Sequence, residues 1–314
     1  MKRIFLSALI LSVFVGTSAA QEPAWGINID IEKLRESSLY KFFEKDADSE
    51  GRQKDIAESI GLSEEELGFN PIEDLTSFTA YNTSFGKEEG VMLLKGKFKT
   101  EKIEQFLEKE NTHSTSKHGK YTVHEWTQED MKLAGSIISE SFIVAATDKA
   151  KLTQTLDGLD KNSQTQMAKL IEKDKTAASK NAYFYVTAKD IGKNMDEQQS
   201  QQNPMARQVK DIVISAGENG GNFYVNSLVT AVSPEAAAQL QQMITGMTAM
   251  FSMQAQQQPD SPVAKMLQPL KISNDGSKIS LSYEYPAEEL AELIKKAQQS
   301  STQKIAPQMQ PGEN

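Results

Sequence analysis

Short strands of alternating polarity, each closed by a tight turn and followed by a helix start, recur along this chain and restrict its fold more than any other feature. In segment 278–285, apolar residues at every second position predict a half-buried strand. Asn274-Asp275-Gly276 just before it predicts a hairpin turn, and Pro286 predicts a helix start. The pattern is typical of an α+β fold, with mainly antiparallel sheets covered on one face by helices.

The order of predicted elements occurs twice. A strand and then a helix are expected over 91–108 and over 223–243, and a hairpin and then a helix over 133–159 and 270–296. We therefore predict two pseudo-repeated halves, the alternative being that any α+β chain alternates such elements. The predicted organisation is a signal peptide at 1–20, a first α+β half at 21–177, a second at 178–299 and a disordered tail at 300–314.

The N-terminus has the three parts of a secretory signal peptide. Lys2 and Arg3 give a positive start, the apolar run 4–15 follows, and small residues stand at Ser18 and Ala20, where signal peptidase recognises its site. The run is shorter than the roughly 20 residues that span a bilayer, so an uncleaved anchor is the weaker interpretation. No second run of that length follows. We predict cleavage after Ala20 and a soluble, periplasmic or secreted protein that does not span a membrane.

Charge and cysteine content exclude several classes of protein. The chain has 34 Lys and Arg against 43 Asp and Glu, a formal charge of -9. This acidity opposes binding to nucleic acid. The absence of cysteine excludes disulfides, thiolate nucleophiles and cysteine-ligated metals. A cysteine-free exported chain also avoids mispairing in an oxidising compartment such as the bacterial periplasm.

The segment Leu93–Leu107, which reads LLKGKFKTEKIEQFL, carries a resemblance. A strand that ends in a charged residue, Gly and a bulky apolar residue, followed by Glu-Lys-Ile, resembles a loose group of exported bacterial proteins of unknown function. The resemblance extends, as an order of elements, over most of the mature chain. It implies two α+β halves and export, and it brings no catalytic residues with it.

No motif of a known catalytic centre occurs. The chain lacks a G-x-S-x-G elbow, a P-loop and a G-x-G-x-x-G loop, so we predict no cofactor and name no catalytic residue. His124-Glu125 begins like the zinc-binding H-E-x-x-H motif, but Gln128 stands where the second ligand belongs. Carboxylates are abundant, yet none has the sequence context of a general acid or base.

The three histidines of the chain, His113, His118 and His124, lie close together. Imidazoles that converge on one point bind Zn²⁺, Cu²⁺ or Ni²⁺. The intervening Ser, Thr, Lys and Gly favour instead an incidental cluster in a solvated loop, and no H-x-H or H-x3-H spacing occurs. We predict no metal site here and keep the three-histidine site as the alternative.

A helix predicted to start at Ser233 has an unusual number of methionines. Met243, Met247, Met250 and Met253 recur along it, and Phe251 adjoins them. Three interpretations are open. The methionines fill the core, they form an adaptable apolar surface for a ligand or partner, or their thioethers bind Cu(I).

Two functional classes follow from these features. The first is an exported, noncatalytic binding or interaction protein whose apolar ligand or protein partner contacts Met243, Met247, Met250 and Phe251. The alternative is a periplasmic enzyme, a hydrolase with an unrecognised carboxylate-based site. Because every enzyme motif sought is absent, we prefer the first class.

Overall fold

The computed structural model describes residues 23–46, 69–71, 73–83, 85, 90–128, 131–160, 181–195, 201, 203, 205–256 and 262–303. The predicted signal peptide lies outside the described residues, as do the boundary at 177/178 and residues 304–314 of the predicted tail. These three predictions therefore stay predictions.

The described residues form one large sheet, and every pair of neighbouring strands in it is antiparallel. The mixed α+β class expected from the sequence is confirmed. The strands are β1 Trp25–Asp30, β2 Leu75–Asn82, β3 Val91–Gly96, β4 Ser114–His118, β5 Tyr121–Gln128, β6 Met131–Ser139, β7 Phe142–Ala146, β8 Ala182–Ala188, β9 Val209–Asn219, β10 Asn222–Ala231, β11 Lys271–Asp275 and β12 Lys278–Pro286.

The sheet is continuous across the two predicted halves. Its strand order is β11-β12-β10-β9-β8-β1-β2-β3-β7-β6-β5-β4. Strands β1 and β8 pair at its centre, with Trp25 opposite Ala188. The expectation of a separate sheet in each half is therefore wrong. The pairing of β1 with β8 satisfies edge hydrogen-bonding groups that two separate sheets would expose.

Helices connect the strands, and side-chain caps begin several of them. Asp30 Oδ1 accepts a hydrogen bond from the Lys33 N–H at 3.0 Å, and Asp148 Oδ1 accepts one from the Lys151 N–H at 2.8 Å. The helices are α1 Ile31–Glu36, α2 Ser38–Asp46, α3 Thr100–Glu108, α4 Lys149–Asp160, α5 Ile191–Asn194, α6 Pro234–Gln256, α7 Pro262–Leu267 and α8 Ala287–Gln303, with a 3₁₀ turn at Ala206–Gln208.

Helices lie on both faces of the sheet in the first half. Leu152 and Leu156 of α4 are fully buried in a cluster with Val144 of β7. Ile143, the residue next to Val144 in β7, belongs to a different cluster, and Ile103 of α3 packs against that cluster. Because successive strand residues point to opposite faces, α3 and α4 cover opposite faces. The expectation that helices cover only one face is wrong for this half.

A contact between the two halves supports the start of helix α2. Ser37 takes an extended backbone conformation and separates α1 from α2. The carboxylate of Glu218, on β9, then accepts hydrogen bonds from the Ser38 and Leu39 N–H groups at 2.7 and 2.8 Å. Glu218 thus places a negative charge at the N-terminus of α2, which favours a new helix start at this point.

Candidate functional site

Helix α6 begins with a complete cap. Ser233 Oγ accepts a hydrogen bond from the Ala236 N–H at 3.2 Å, and Pro234 occupies the first helical position, where its missing N–H costs no hydrogen bond. Hydrogen bonds from the Ser233 hydroxyl and from a backbone N–H lower the pKa of the exposed Glu235 carboxyl. Its negative charge lies at the positive end of the helix dipole. The start of α6 is therefore a local property of the sequence.

The first turns of α6 are fixed to the sheet. Ala237 is fully buried and Leu240 nearly so, and both belong to a core cluster with Val209 of β9 and Ile279 of β12. Further along, Ile244 is half-buried. This inner row of apolar side chains anchors the first turns of α6, and beyond Ile244 most of the described side chains of the helix are exposed.

The exposed later part of α6 carries four methionines. The relative exposures are 41% for Met243, 51% for Met247, 57% for Met250 and 61% for Met253. Gly246 lies among them, and a Cβ added there would meet no atom within 4 Å, the nearby backbone of its own helix aside. We call these five residues the Met face. The core interpretation does not describe these methionines, because all four side chains are exposed.

The Met face is also uncharged. Glu235 is the only Asp, Glu, Lys or Arg residue in α6, so every residue from 236 to 256 is neutral. Thr248 Oγ1 donates to the Ile244 carbonyl at 2.8 Å, and Ser252 Oγ donates to the Thr248 carbonyl at 2.8 Å. These hydroxyls are satisfied within the helix. The later turns of α6 therefore present a neutral, largely apolar surface in a chain of which 25% of the residues are charged.

Phe251 was predicted for the same surface. It lies on α6 directly after Met250, and its side chain is outside the described part of the chain. That Met243, Met247, Met250 and Phe251 bind a ligand or partner stays a prediction, as does the Cu(I) alternative.

Two of the three histidines form a pair. His113 Nε2 and His124 Nδ1 are 3.1 Å apart, so one of the two nitrogens donates to the other. The ring planes are inclined by 12°. Burial lowers the pKa of His124 below its usual value of 6.5, and His113 lowers it further. Glu104 and Glu108 of α3 raise the pKa of His124 and Lys117 lowers it, each with a smaller effect. The neutral form of the His124 imidazole is therefore favoured.

The third histidine is engaged elsewhere. His118 Nε2 lies 2.8 Å from Asp157 Oδ1 of α4, at the protein surface. Residues 114–118 form strand β4, paired with β5, and not the solvated loop that their composition favoured. Within the described ranges, no three His, Cys, Asp or Glu side chains are grouped so that they could hold a metal ion. The structure thus separates His118 from the other two histidines, and the prediction that this cluster is no metal site remains to be tested.

The predicted contact surface left out two members of the Met face, Gly246 and Met253. Met243, Gly246, Met250 and Met253 follow a spacing of three, four and three residues. This is the a/d spacing of a helix-pairing seam, and it was readable from the sequence. No local signal marked the contact between His113 and His124, because it depends on the pairing of β4 with β5.

In the part of the chain that the structure describes, no helix has both the length and the apolar character needed to cross a membrane.

Comparison with known proteins gives structural neighbours only. No protein-family model and no curated protein sequence matches this chain. Among solved structures, the chain is similar to TP0453, a Treponema protein of unknown function. Crystal form III has a TM-score of 0.48 and 11% sequence identity over 88% of this chain and 95% of that one. Crystal form IV has a TM-score of 0.45 and 12% sequence identity over 87% of this chain and 93% of that one. Crystal form I has a TM-score of 0.44 and 10% identity over 88% of this chain and 94% of that one.

Proposed function

We propose that this protein is an exported, noncatalytic interaction protein, and that its contact surface is the Met face of α6. The proposal depends on one observation, the exposure of four methionines on a helix whose first turns are anchored in the core. Methionine has three rotatable bonds and a polarisable sulfur, so a methionine surface adapts to irregular apolar shapes.

The chemistry of the face indicates what it binds. A surface with no charge between residues 236 and 256 offers no ion pair to a charged ligand, and a row of side chains along a straight helix matches another helix better than it matches a compact small molecule. The partner class we propose is therefore the apolar face of a polypeptide helix.

The test measures binding of a fluorescein-labelled amphipathic helical peptide that has Leu at its a and d positions and Lys and Glu at its outer positions. Fluorescence anisotropy should show binding to the mature protein. The triple variant Met243→Gln, Met247→Gln, Met250→Gln should bind at least about tenfold more weakly, because Gln is polar yet a good helix former.

The matched control is the triple Leu variant at the same positions, which keeps the face apolar and should bind within about threefold of the parent protein. Equal binding by the Gln and Leu variants would contradict the proposal, as would no binding by the parent protein. Turnover in a broad hydrolase screen would instead support the enzyme alternative.

Export and the excluded partners are part of the same proposal. The positive, apolar and small-residue segments of residues 1–20 support cleavage after Ala20 and a periplasmic or secreted location. The formal charge of -9 supports the proposal that the protein has no nucleic-acid partner. An intact mass of the exported protein that still includes residues 1–20 would contradict cleavage.

We also propose that the chain contains an internal duplication. The strand order β1-β2-β3-β7-β6 in the first half has the same connections as β8-β9-β10-β12-β11 in the second. In each half a helix, α3 or α6, follows the third strand, and another, α4 or α8, follows the last. Strands β4 and β5 are then an insertion in the first half. Superposition of the two five-strand units in an experimental structure would test this, and a mismatch in helix positions would contradict it.

A further inference from the structure

We infer that the Met face pairs with the Met face of a second copy of this chain, with the two α6 helices antiparallel. This inference rests on the proposed function, since it uses the same surface, and it adds the identity of the partner.

The spacing of the face fits a helix pair. Met243, Gly246, Met250 and Met253 are separated by three, four and three residues, which keeps them on one line when two helices wrap around each other. Met247 flanks this line on one side. Helix α6 has 23 residues, or about 34 Å of length at 1.5 Å per residue. It is therefore long enough to carry a seam of several turns beyond its buried start.

The face is complementary to itself in the antiparallel direction. When two copies of α6 cross antiparallel about Thr248, Met250 of one copy lies opposite Gly246 of the other, and Met243 lies opposite Met253. Open space surrounds Gly246, since an added Cβ would meet no atom within 4 Å apart from the nearby backbone of its own helix. The largest exposed side chains thus meet the smallest residue or each other, as knobs fit into holes.

The absence of charge also favours a second copy over an unrelated protein. A two-fold interface brings the same patch of both subunits together, so a charge near the axis faces its own kind. The chain as a whole carries a charge of -9, but α6 carries none from residue 236 to residue 256. The Met face is therefore a surface on which two acidic copies meet without direct repulsion.

The complete lack of cysteine makes the pairing directly testable. The variants are Met243→Cys, Met253→Cys and the double variant, each oxidised with glutathione disulfide and analysed by intact mass. In the antiparallel pair only the double variant should form a covalent dimer, because residue 243 then lies opposite residue 253. The two positions are about 15 Å apart within one helix, too far for a disulfide inside the chain.

Sedimentation of the cysteine-free protein should show a reversible dimer with a dissociation constant in roughly the micromolar range, as expected for a small helix–helix contact. The triple Gln variant should be monomeric and the triple Leu variant dimeric, and circular dichroism should show that both are folded. Efficient crosslinking of the single-cysteine variants would overturn the antiparallel register.

Failure of the inference and failure of the proposed function are distinguishable. A protein that stays monomeric at every concentration, and forms no crosslink, overturns the second copy as partner. If that monomer still binds the labelled helical peptide through the Met face, the proposed function stands with a foreign partner. If the protein binds neither a second copy nor the labelled peptide, both the inference and the proposed function are wrong.

Discussion

Helices α3 and α6 occupy equivalent places in the strand order, yet they differ in length and in surface. Helix α3 has 9 residues and α6 has 23. Leu107 of α3 is buried and Ile103 packs against the core, while Glu101, Lys102 and Glu104 supply charge. Helix α6 is likewise packed on the core, through Ala237 and Leu240 near its start, but its later turns are neutral and largely apolar. The comparison shows that the methionines are not needed to attach the helix, because nine residues suffice for α3.

The two halves also differ in how completely their helices are packed. Leu152 and Leu156 of α4 have no exposed surface, whereas the four methionines of α6 are 41–61% exposed. Helix α4 of the first half buries its large apolar side chains in the core, whereas α6 of the second half leaves part of its own exposed. Four measurements test this contrast.

The largest expected effect is on core packing in the first half. Leu152→Ala should lower the free energy of unfolding by about 2–5 kcal/mol, because it removes buried methyl groups and leaves a cavity. The matched truncation Met247→Ala should change it by no more than about 0.5 kcal/mol, as is usual for exposed positions. Urea unfolding at low protein concentration measures both. A comparable loss in the two variants would show that the Met face is packed.

The second effect is a dependence of stability on pH that arises from His124, in the first half. Because the pKa of His124 is lowered in the folded state, the unfolded chain binds the proton more readily, and stability should fall as the pH drops below about 6.5. The slope from this residue cannot exceed about 1.4 kcal/mol per pH unit, the limit for one proton. His124→Gln should unfold with a weaker dependence on acid. Identical pH profiles for the two proteins would contradict a role for the His113–His124 pair.

The third effect tests whether the start of α6 is locally encoded. Ser233→Ala removes the acceptor for the Ala236 N–H and should cost about 1 kcal/mol of stability. Ser233→Asp retains a capping oxygen and should cost much less. Thermal unfolding followed by circular dichroism distinguishes the two, and an equal loss in both variants would argue against the cap.

The smallest effect concerns the open position in the Met face. Gly246→Ala should raise the stability of the monomer by up to about 1 kcal/mol, because alanine favours a helix and its Cβ meets no neighbouring atom outside the local helix backbone. Urea unfolding of the dilute protein measures the gain. A loss of stability would mean that another part of the molecule approaches Gly246 closely.

Local signals in the sequence predicted the elements that depend on neighbouring residues only. The hairpin turns at Gly220 and Gly276 need positive φ angles, observed at 58° and 60°, which glycine adopts without strain. The caps at Asp30, Asp148 and Ser233 form as their side chains indicate. Interactions within four residues, or across a two-residue turn, depend on neighbouring residues and can be predicted from the local sequence.

Contacts between residues far apart in the chain could not be predicted from the sequence, because they depend on which segments meet in the folded protein. Ser37 caps α2 locally, but the Ser38 N–H also donates to the carboxylate of Glu218, which lies 180 positions away. Strand β4 has a polar sequence typical of a loop, and it is a strand because β5 supplies its hydrogen bonds. The joining of both halves into one sheet likewise depends on which edges meet.

The α+β class, the start of α6 and the neutrality of its later turns follow from residue type and spacing, so they can be predicted from the sequence. The exposure of the four methionines is visible only in the folded protein. Met243, Met247, Met250 and Met253 have the same side chain in the core or at the surface, and periodicity cannot distinguish these environments. The packing of Ala237 and Leu240 against the sheet determines the rotation of the helix about its axis. Beyond Ile244 the helix is exposed on most sides, and this exposes the Met face, including Met247, which lies on the same side of the helix as Leu240.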